Sequence, residues 1–235
     1  MIDIYGKNVI QALLNADVKV FELCLRDDVY LKDKSIVNQA QKKNIKITVL
    51  DKIKMNNRFQ GLNQGYGAKI DDIKTKDLEE VIDTKKKQLF LILDQIEDPH
   101  NLGAMLRSAD AFSVDAIIIP NHGGTKINET VVKVSTGSIF YVPIVTVTNI
   151  NQAISKLKEN NVWVYGADMD GNIQLGEVKF DHSIAVVIGS EGFGIRPLVK
   201  KNCDYILSIP MTGYVNSLNA SVACGIILAN IKIQQ

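Results

Sequence analysis

The sequence predicts an α/β protein in which helices cover a parallel sheet and a smaller α/β domain precedes it. From residue 88 onward, short runs of Val, Ile and Leu alternate with segments of helical length. Near-continuous apolar strands of this kind are typical of parallel sheets that are buried on both faces. Between residues 71 and 87 the chain changes character, because Asp, Glu and Lys dominate and apolar residues are few. We place the domain boundary there.

The first 70 residues predict a small α/β domain. Hydrophobic periodicity indicates two helices and two strands, with the helices at 7–15 and 34–43 and the strands at 20–25 and 45–50. The Asn, Gln and Gly residues of 56–67 favour an irregular loop, and 71–87 suits an exposed helix or linker. We therefore expect a first domain at 1–70.

The second domain is expected at 88–235, and its strand candidates are β-branched and leucine-rich runs that alternate with helical patterns. They lie at 88–93, 115–120, 144–147, 162–166, 183–188 and 205–209. Ligands of open parallel sheets bind beyond the carboxyl ends of the strands. The segments that directly follow these strands are therefore the candidates for a functional site.

Composition indicates an ordinary folded protein. Of 235 residues, 46% are hydrophobic and 23% are charged, which is enough for a proper core. The sequence shows neither a membrane-length apolar run nor the features of a signal peptide, so we expect a cytoplasmic protein. Cys24, Cys203 and Cys224 lack metal-ligand spacing, and the three His residues are equally scattered. We expect reduced structural thiols and no metal site.

Charge is distributed unequally between the two parts of the chain. Residues 1–87 contain seventeen Lys and Arg against thirteen Asp and Glu, and residues 88–235 contain ten against thirteen. The net charges of +4 and −3 make the first part the better candidate for contact with phosphates. A surplus this small is, taken alone, more typical of a solvated surface.

Polar residues follow the first strand of the second domain. In the segment 94–109, Pro99 indicates a turn, and Asn101 and Arg107 lie in the helix that follows. Taken alone, Asn101 favours a helix cap over a ligand contact. Arg107 suits a surface ion pair as well as a contact with a phosphate or hydroxyl.

A glycine-rich loop, Gly189-Ser-Glu-Gly-Phe-Gly194, follows a later strand and contains Glu191. Glycines allow the backbone to approach a ligand closely, although a plain tight turn is the simpler interpretation. The loop lacks the Lys-Ser/Thr pair of a P-loop, and it lies too late in the chain for a dinucleotide fingerprint. A nicotinamide-dependent oxidoreductase is therefore disfavoured.

The third post-strand segment runs from Ile209 to residue 225 and ends in a helix rich in small residues. Four polar residues cluster before the apolar part of this helix: Asn216, Ser217, Asn219 and Ser221. Ser and Asn are ordinary helix caps, and Ala, Gly and Ser are ordinary in close helix packing. Four such residues beside a glycine loop exceed what one cap requires.

Together, the three segments resemble the ordered motifs of the SpoU, or TrmH, family of RNA ribose methyltransferases in the SPOUT class. The matching residues are Asp98-Pro-His-Asn-Leu-Gly-x-x-x-Arg107, Gly189-Ser-Glu-Gly192, and Ile209-Pro-Met with Ser217-Leu-Asn-x-Ser221. The first domain resembles the L30e-like RNA-binding domain of many members, with Ile4-Tyr5-Gly6-Lys7-Asn8-Val9 as its opening motif. Asn63-Gln64-Gly65-Tyr66 departs from the family's usual His-Gln-Gly.

The resemblance implies a carboxy-terminal trefoil knot, a rare exception to the rule that chains do not thread loops. It implies S-adenosylmethionine as methyl donor, no metal, an RNA partner and a homodimer whose second subunit completes the site. The backbone positions that would hold the cofactor are Gly189, Ile209 and Leu218. The residues that would surround the reacting ribose hydroxyl are Asn101, Arg107, Glu191, Ser217 and Asn219.

The two-domain layout resembles the branch that methylates a guanosine of large-subunit (23S) ribosomal RNA. A transfer-RNA ribose methyltransferase is an alternative, although such relatives often lack the first domain. A second alternative is a non-catalytic RNA-binding or ribosome-assembly factor with the same fold, which the presence of Asn101, Arg107, Glu191 and Asn219 argues against.

Overall fold

The computed structural model describes residues 1–215 and 217–234, which form two compact units. The first unit comprises Met1–Lys74 together with Ile127–Tyr141. The second comprises Thr75–Lys126 and the chain from Val142 onward.

Strands and helices alternate along most of the described chain. The strands are β1 Ile2–Tyr5, β2 Val20–Arg26, β3 Ile47–Leu50, β4 Tyr66–Ile70, β5 Leu89–Asp94, β6 Ala116–Pro120, β7 Ile144–Val147, β8 Trp163–Ala167, β9 Ile173–Gln174, β10 Ile184–Gly189 and β11 Tyr205–Ser208. The helices are α1 Lys7–Asn15, α2 Asp27–Lys32, α3 Lys34–Lys42, α4 Lys52–Arg58, α5 Leu78–Val81, α6 Pro99–Ala111, α7 Glu129–Val134, α8 Ile150–Glu159, α9 Pro197–Asn202 and α10 Ala220–Gln234, with a 3-10 turn at Ser138–Phe140.

The first unit contains a mixed sheet with the strand order β1-β4-β2-β3 among the described residues. β4 pairs antiparallel with β1 and β2, whereas β2 and β3 are parallel. The helices expected at 7–15 and 34–43 and the strands expected at 20–25 and 45–50 are confirmed as α1, α3, β2 and β3.

The loop expected at 56–67 is wrong at both ends, because α4 extends to Arg58 and β4 begins at Tyr66. The strand contains Gly67 and Ala68, which have weak strand preferences in isolation. A Cβ built on Gly67 would overlap the ring of Phe59, so the glycine allows that fully buried ring to lie against the sheet. Packing against Phe59 thus explains β4, which the local sequence pattern does not predict.

The segment Ile127–Tyr141 packs within the first unit, although the sequence analysis assigns it to the domain 88–235. Nζ of Lys133 donates to the carbonyl of Leu62 across 2.8 Å, and the hydroxyl of Tyr141 donates to the carbonyl of Ala12 across 3.0 Å. Gly137 has a φ of 97°, and a Cβ there would overlap that of Ala12. Such contacts between distant parts of the chain leave no local signal in a sequence.

The second unit is built on a parallel sheet with the strand order β7-β6-β5-β10-β8-β11-β9 among the described residues. Every pair that the structure describes in this sheet is parallel. The strands expected from the sequence are confirmed as β5, β6, β7, β8, β10 and β11. The sequence analysis missed β9, because a strand of two residues is too short to show a periodic pattern.

Both faces of the central strands β5 and β10 are buried, as their apolar sequences predict. On one face, residues such as Ile92, Val164 and Val187 form a core with α5, α8 and α9. Successive strand residues point to opposite faces, so fully buried neighbours such as Leu91 and Val186 face the other side. α10 contacts β10 and packs along α6. The central strand β10 therefore ends between helical layers, at the edge where a ligand is expected.

The three cysteines are free. Burial raises the pKa of each thiol to about 12, which makes the thiolate scarce at neutral pH. In the described parts of the chain no three His, Cys, Asp or Glu side chains are grouped as a metal site. None of the described helices has the length and apolar character that a membrane crossing requires.

Candidate active site

A cavity of about 460 Å³ lies at the carboxyl ends of β8, β10 and β11. Its wall includes residues singled out in the sequence, namely Gly189, Glu191, Ile209, Ser217 and Leu218. Cavities of this size suit a cofactor or a small substrate. Residues from separate post-strand segments therefore converge on one site.

The glycine-rich loop after β10 closes on itself. The N–H of Ser190 donates to the carbonyl of Gly194 across 3.1 Å, and the N–H of Gly194 donates back across 2.9 Å. A Cβ built on Gly189 would overlap the backbone of Gly194, whose φ is 64°. The two glycines are thus required by close backbone approach and by a left-handed conformation. The loop presents Glu191 at the cavity wall.

Three predicted residues from distant segments form one hydrogen-bonded cluster. Nδ2 of Asn101 donates to Oε1 of Glu191 across 3.0 Å. Nδ2 of Asn219 donates to Oδ1 of Asn101 across 3.0 Å and also donates to Oε1 of Glu191. An ionised carboxylate only accepts, whereas each amide can donate and accept, so the three side chains fix one another's orientation.

Asn219 also caps α10. Its Oδ1 accepts the backbone N–H of Ser221 across 2.9 Å and that of Val222 across 3.2 Å, the usual arrangement at a helix start. The hydroxyl of Ser221 donates to the same oxygen across 2.6 Å. Asn219 therefore serves both the helix and the cluster, and Ser221 supports it. Asn216 lies outside the described residues.

Asn101 is not the cap of α6, which corrects the interpretation of that residue taken alone. The cap is Asp98, which precedes Pro99 in the first turn of the helix. Its carboxylate accepts a hydrogen bond from the backbone N–H of His100 across 2.8 Å. This hydrogen bond lowers the pKa of the Asp98 carboxyl. Asn101 lies inside the helix and is buried, so its side chain is available to Glu191.

Arg107 occupies α6 six residues after Asn101, about 9 Å further along the helix axis. Its side chain is exposed, and it forms no hydrogen bond or ion pair with any described residue. The structure thus groups Asn101, Glu191 and Asn219 but leaves Arg107 outside that cluster. An unpaired guanidinium keeps all five of its donors available for another molecule.

Sequence reasoning missed a buried ion pair that holds the glycine loop. Asp94, fully buried at the end of β5, accepts from Nε of Arg196 across 2.8 Å and from its backbone N–H across 2.9 Å. Nη2 of Arg196 lies 2.7 Å from the same carboxylate. Since Arg196 directly follows the glycine loop, the pair anchors that loop to the central strands. A carboxylate that ends an apolar strand is the signal that could have identified it.

A second missed pair lies on the cavity wall. Asp168 follows β8, and Nζ of Lys200 on α9 lies 3.0 Å from its carboxylate. With Asp170 and Glu191, three carboxylates and one ammonium line the cavity. This charge balance favours a ligand with cationic groups.

Comparisons with known proteins identify the family of this chain. The SpoU rRNA Methylase family model matches residues 88–229. A second model, RNA 2′-O ribose methyltransferase substrate binding, matches residues 4–76. The chain belongs to the SpoU family. It is an RNA 2′-O-methyltransferase of the tRNA/rRNA type.

Curated relatives of this SpoU protein match it almost from end to end. The putative TrmH family tRNA/rRNA methyltransferase YacO of Bacillus subtilis is 35% identical over 97% of this chain and 94% of its own. The 23S rRNA (guanosine-2′-O-)-methyltransferase RlmB of Coxiella burnetii is 36% identical over 99% of this chain and 95% of its own.

Solved structures show the same fold. The SpoU methyltransferase AviRb of Streptomyces viridochromogenes, in complex with AdoMet, aligns with a TM-score of 0.85 at 22% identity, over 99% of this chain and 89% of its own. The A. aeolicus TrmH/SpoU tRNA modifying enzyme aligns with a TM-score of 0.58 at 30% identity, over 67% of this chain and 80% of its own.

The residues around the cavity suit S-adenosylmethionine. Ile188, Ile209 and Leu218 offer apolar surface for a nucleoside, and the carboxylates of Asp168 and Glu191 offer counter-charge for a sulfonium or an amino group. The absence of a side chain at Gly189 allows the backbone of Gly194 to lie against it at the cavity wall. When bound, the cofactor supplies an activated methyl group, and the protein supplies orientation and electrostatics.

Proposed function

We propose that this SpoU family member methylates the ribose 2′-hydroxyl of a guanosine in 23S ribosomal RNA. Support comes from the RlmB relative of Coxiella burnetii, which matches nearly the whole of both chains. Further support comes from the substrate-binding model over residues 4–76, which accounts for the first part of the chain as an RNA-binding element.

A transfer-RNA ribose is the second candidate, because YacO of Bacillus subtilis is named for both kinds of RNA. Coverage favours the ribosomal target. The A. aeolicus tRNA modifying enzyme and a structure described by 2-OH methylation of C/U34 on tRNA cover 67% and 63% of this chain, whereas the RlmB relative covers 99%. The family match sets aside a nicotinamide-dependent oxidoreductase and a non-catalytic factor.

The observation that carries the catalytic assignment is the cluster of Asn101, Glu191 and Asn219 beside the cavity. We assign to it the positioning of the ribose hydroxyl, with Ser217 on the same cavity wall. Mutual hydrogen bonds hold the amide groups in fixed orientations before the substrate arrives. Fixed orientation supports displacement reactions strongly, because the reacting atoms must be in line.

The cofactor contacts are assigned to the backbone groups of Gly189, Ile209 and Leu218, which line the cavity from two of the post-strand segments. Gly189 lines the cavity and is restricted to glycine, because a Cβ there would overlap the backbone of Gly194. Backbone contacts of this kind depend on loop shape. The ion pair of Asp94 and Arg196 maintains that shape.

Arg107 is assigned to the RNA. A guanidinium stays protonated at all physiological pH values, so Arg107 is a poor proton acceptor. It stabilises the alkoxide that develops as the ribose oxygen loses its proton, or it holds a neighbouring phosphate. The acceptor of that proton is a group that we do not assign.

We propose a homodimer, and the outer face of α10 supports it. Val222, Ile226 and Ile233 lie on one side of this helix with exposed fractions of 49%, 39% and 85%. A helix that is apolar all round is normally buried, so a second copy is the natural cover for this face. Ile226→Lys should convert the dimer to a monomer in light scattering, whereas Leu198→Ala, at an exposed apolar residue of α9, should not.

We further propose the trefoil knot of the SPOUT class and a cytoplasmic location. The knot is supported by the position of β10 between β5 and β8 and by the return of α10 along α6. The location is supported by the proposed ribosomal substrate.

The test is transfer of a labelled methyl group from S-adenosylmethionine to total RNA from cells that lack this protein, followed by mapping of the modified nucleotide. Label at one guanosine of 23S RNA supports the proposal. Label in transfer RNA would favour the second candidate. Arg107→Ala protein, prepared in parallel, controls for contaminating methyltransferases.

A further inference from the structure

An aromatic cleft that the reaction does not use opens at the amino ends of β8 and β11. Its volume is about 290 Å³, and its wall includes Trp163, Tyr165, Lys179, His182 and Tyr205. β8 runs from Trp163 at this cleft to Ala167 at the cofactor cavity, which separates the two sites by about 13 Å of strand.

The aromatic rings form a stacked series. The ring of Tyr205 lies 5.7 Å from that of Trp163 at 22° and 5.3 Å from that of Tyr165 at 24°. Trp163 and Tyr165 point to the same side of β8, whereas Val164 between them belongs to the core of the opposite face. The stacked rings therefore lie on one face of the sheet. They extend from Tyr165 in the interior to Trp163 and Tyr205 at the surface.

The inner end of the cleft is formed by side chains that contact one another. The hydroxyl of Tyr165 lies 3.1 Å from Nε2 of His182, and Nδ1 of His182 lies 2.8 Å from the carboxylate of Asp181. The edge of Phe180 packs on Tyr165 at 5.4 Å. Tyr165 is 2% exposed and forms the floor.

The outer end is open and positively charged. Trp163 is 43% exposed and Tyr205 is 37% exposed, which is unusual for large aromatic side chains that only fill a core. Lys179 is exposed at the same wall and forms no ion pair with any residue that the structure describes. The cleft thus combines free aromatic faces with an unpaired cation.

We propose that this cleft binds an unpaired base of the RNA substrate, separate from the nucleotide that is methylated. Bases stack on aromatic side chains in proteins that recognise single-stranded RNA, and lysines hold the adjacent phosphates. The charge of Lys179 matches a phosphate and disfavours a basic peptide. The inference rests on RNA as the substrate but not on the identity of the target nucleotide.

The chain contains one tryptophan, so its fluorescence reports on this cleft alone. Titration of the full-length protein with single-stranded oligouridylate or oligoadenylate should quench Trp163 in a saturable manner. Double-stranded RNA of equal length should quench it less, because its bases are already stacked. Absence of quenching by the single strands overturns the proposal, as does equal quenching by both forms.

Variants connect the cleft to the reaction. Trp163→Ala should weaken binding of the single strands, measured by filter binding, by about 5-fold to 150-fold, the range for one stacked base. It should raise KM for RNA and leave the Kd for S-adenosylmethionine unchanged. Trp163→Phe should keep most of the affinity, and Lys179→Gln should weaken it, whereas Leu198→Ala and Lys201→Gln should match the wild type.

Two further results would overturn the inference. A change of Trp163 emission with protein concentration alone would show that a second copy covers the cleft. If circular dichroism shows that Trp163→Ala is unfolded, Tyr205→Leu takes its place in the experiment. Wild-type affinity of Tyr205→Leu for the single strands would then count against the inference. Methyl transfer to RNA without any quenching of Trp163 would reject the cleft as a base-binding site but leave the proposed function intact. Quenching of Trp163 without methyl transfer would support the cleft and count against the proposed function.

Discussion

Asn101 donates a hydrogen bond to Glu191 across 3.0 Å, although ninety residues separate them in the chain. The bond joins the first turns of α6 to the glycine loop after β10. With Asn219 at the start of α10, it unites the three post-strand segments in one polar cluster. The geometry of the proposed site therefore depends on a carboxylate that serves two amides at once.

Glu191→Gln tests this dependence. The substitution keeps the shape of the side chain but removes the charge, and it adds a donor where Asn101 and Asn219 both present donors. We expect kcat to fall by about 100-fold, the scale of a small misplacement of reacting groups. Steady-state methyl transfer measures kcat. The control is Glu159→Gln, at an exposed residue that ends α8. A wild-type kcat would remove Glu191 from the site.

Arg107→Ala should lower kcat by about 100-fold to 1,000-fold, the loss typical when a group that stabilises developing charge is removed. The Kd for S-adenosylmethionine, measured by calorimetry, should not change. Arg107→Lys should recover only part of the activity, because an ammonium lacks the planar fork of donors. Turnover near the wild-type level in the Ala variant would show that the assignment is wrong.

Gly189→Ala and Gly192→Ala form a matched pair within one loop. A Cβ at Gly189 overlaps the backbone of Gly194, whereas a Cβ at Gly192 meets nothing within 4 Å. We expect Gly189→Ala to raise the Kd for S-adenosylmethionine by at least about 10-fold, and larger side chains to abolish binding, with RNA affinity retained. Gly192→Ala should bind both like the wild type. Equal cofactor affinity in the two variants would contradict the role of Gly189.

The sequence predicted the parts of the protein whose signals are local. The strands of the second unit were found because their apolar runs are nearly continuous, as in β5 and β10. β4 was missed because Gly67 conceals a strand that packing against Phe59 explains. The pair of Asp94 and Arg196 spans 102 residues, and no spacing rule connects such positions in a single sequence.

The ion pair of Asp94 and Arg196 should be detectable as a coupling energy. Arg196→Met leaves a fully buried carboxylate with only the backbone N–H as donor, so we expect destabilisation of roughly 3 kcal/mol. Asp94→Asn should also destabilise, and the double variant should lose less than the sum of the two. Urea unfolding followed by Trp163 emission measures all three. Additive losses would show that the pair does not act as a unit.

A carboxylate network in the first unit predicts a specific acid sensitivity. Glu22 accepts from the hydroxyl of Thr48 across 2.6 Å and from Nη1 of Arg58 across 2.7 Å, and Arg58 also bonds Asp3. These two hydrogen bonds, that from Thr48 first, lower the pKa of Glu22 below its usual value of 4.5.

Because the folded pKa is the lower one, the stabilisation by Glu22 is present above the unfolded pKa near 4.5 and is lost as the pH falls through the folded pKa. We expect Glu22→Gln to cost about 2 kcal/mol at pH 7, as for hydrogen bonds to a charged group. Its unfolding free energy should decrease less than that of the wild type between pH 5 and about pH 3.

Urea unfolding followed by circular dichroism, which reports both units, measures this difference. Trp163 emission, which reports the second unit, is the internal control. Parallel pH profiles for the wild type and Glu22→Gln would show that other carboxylates cause the acid sensitivity. Thr48→Val separates the two hydrogen bonds. Since the bond from Thr48 contributes most to the lowered pKa, this variant should shift the acid transition toward that of Glu22→Gln.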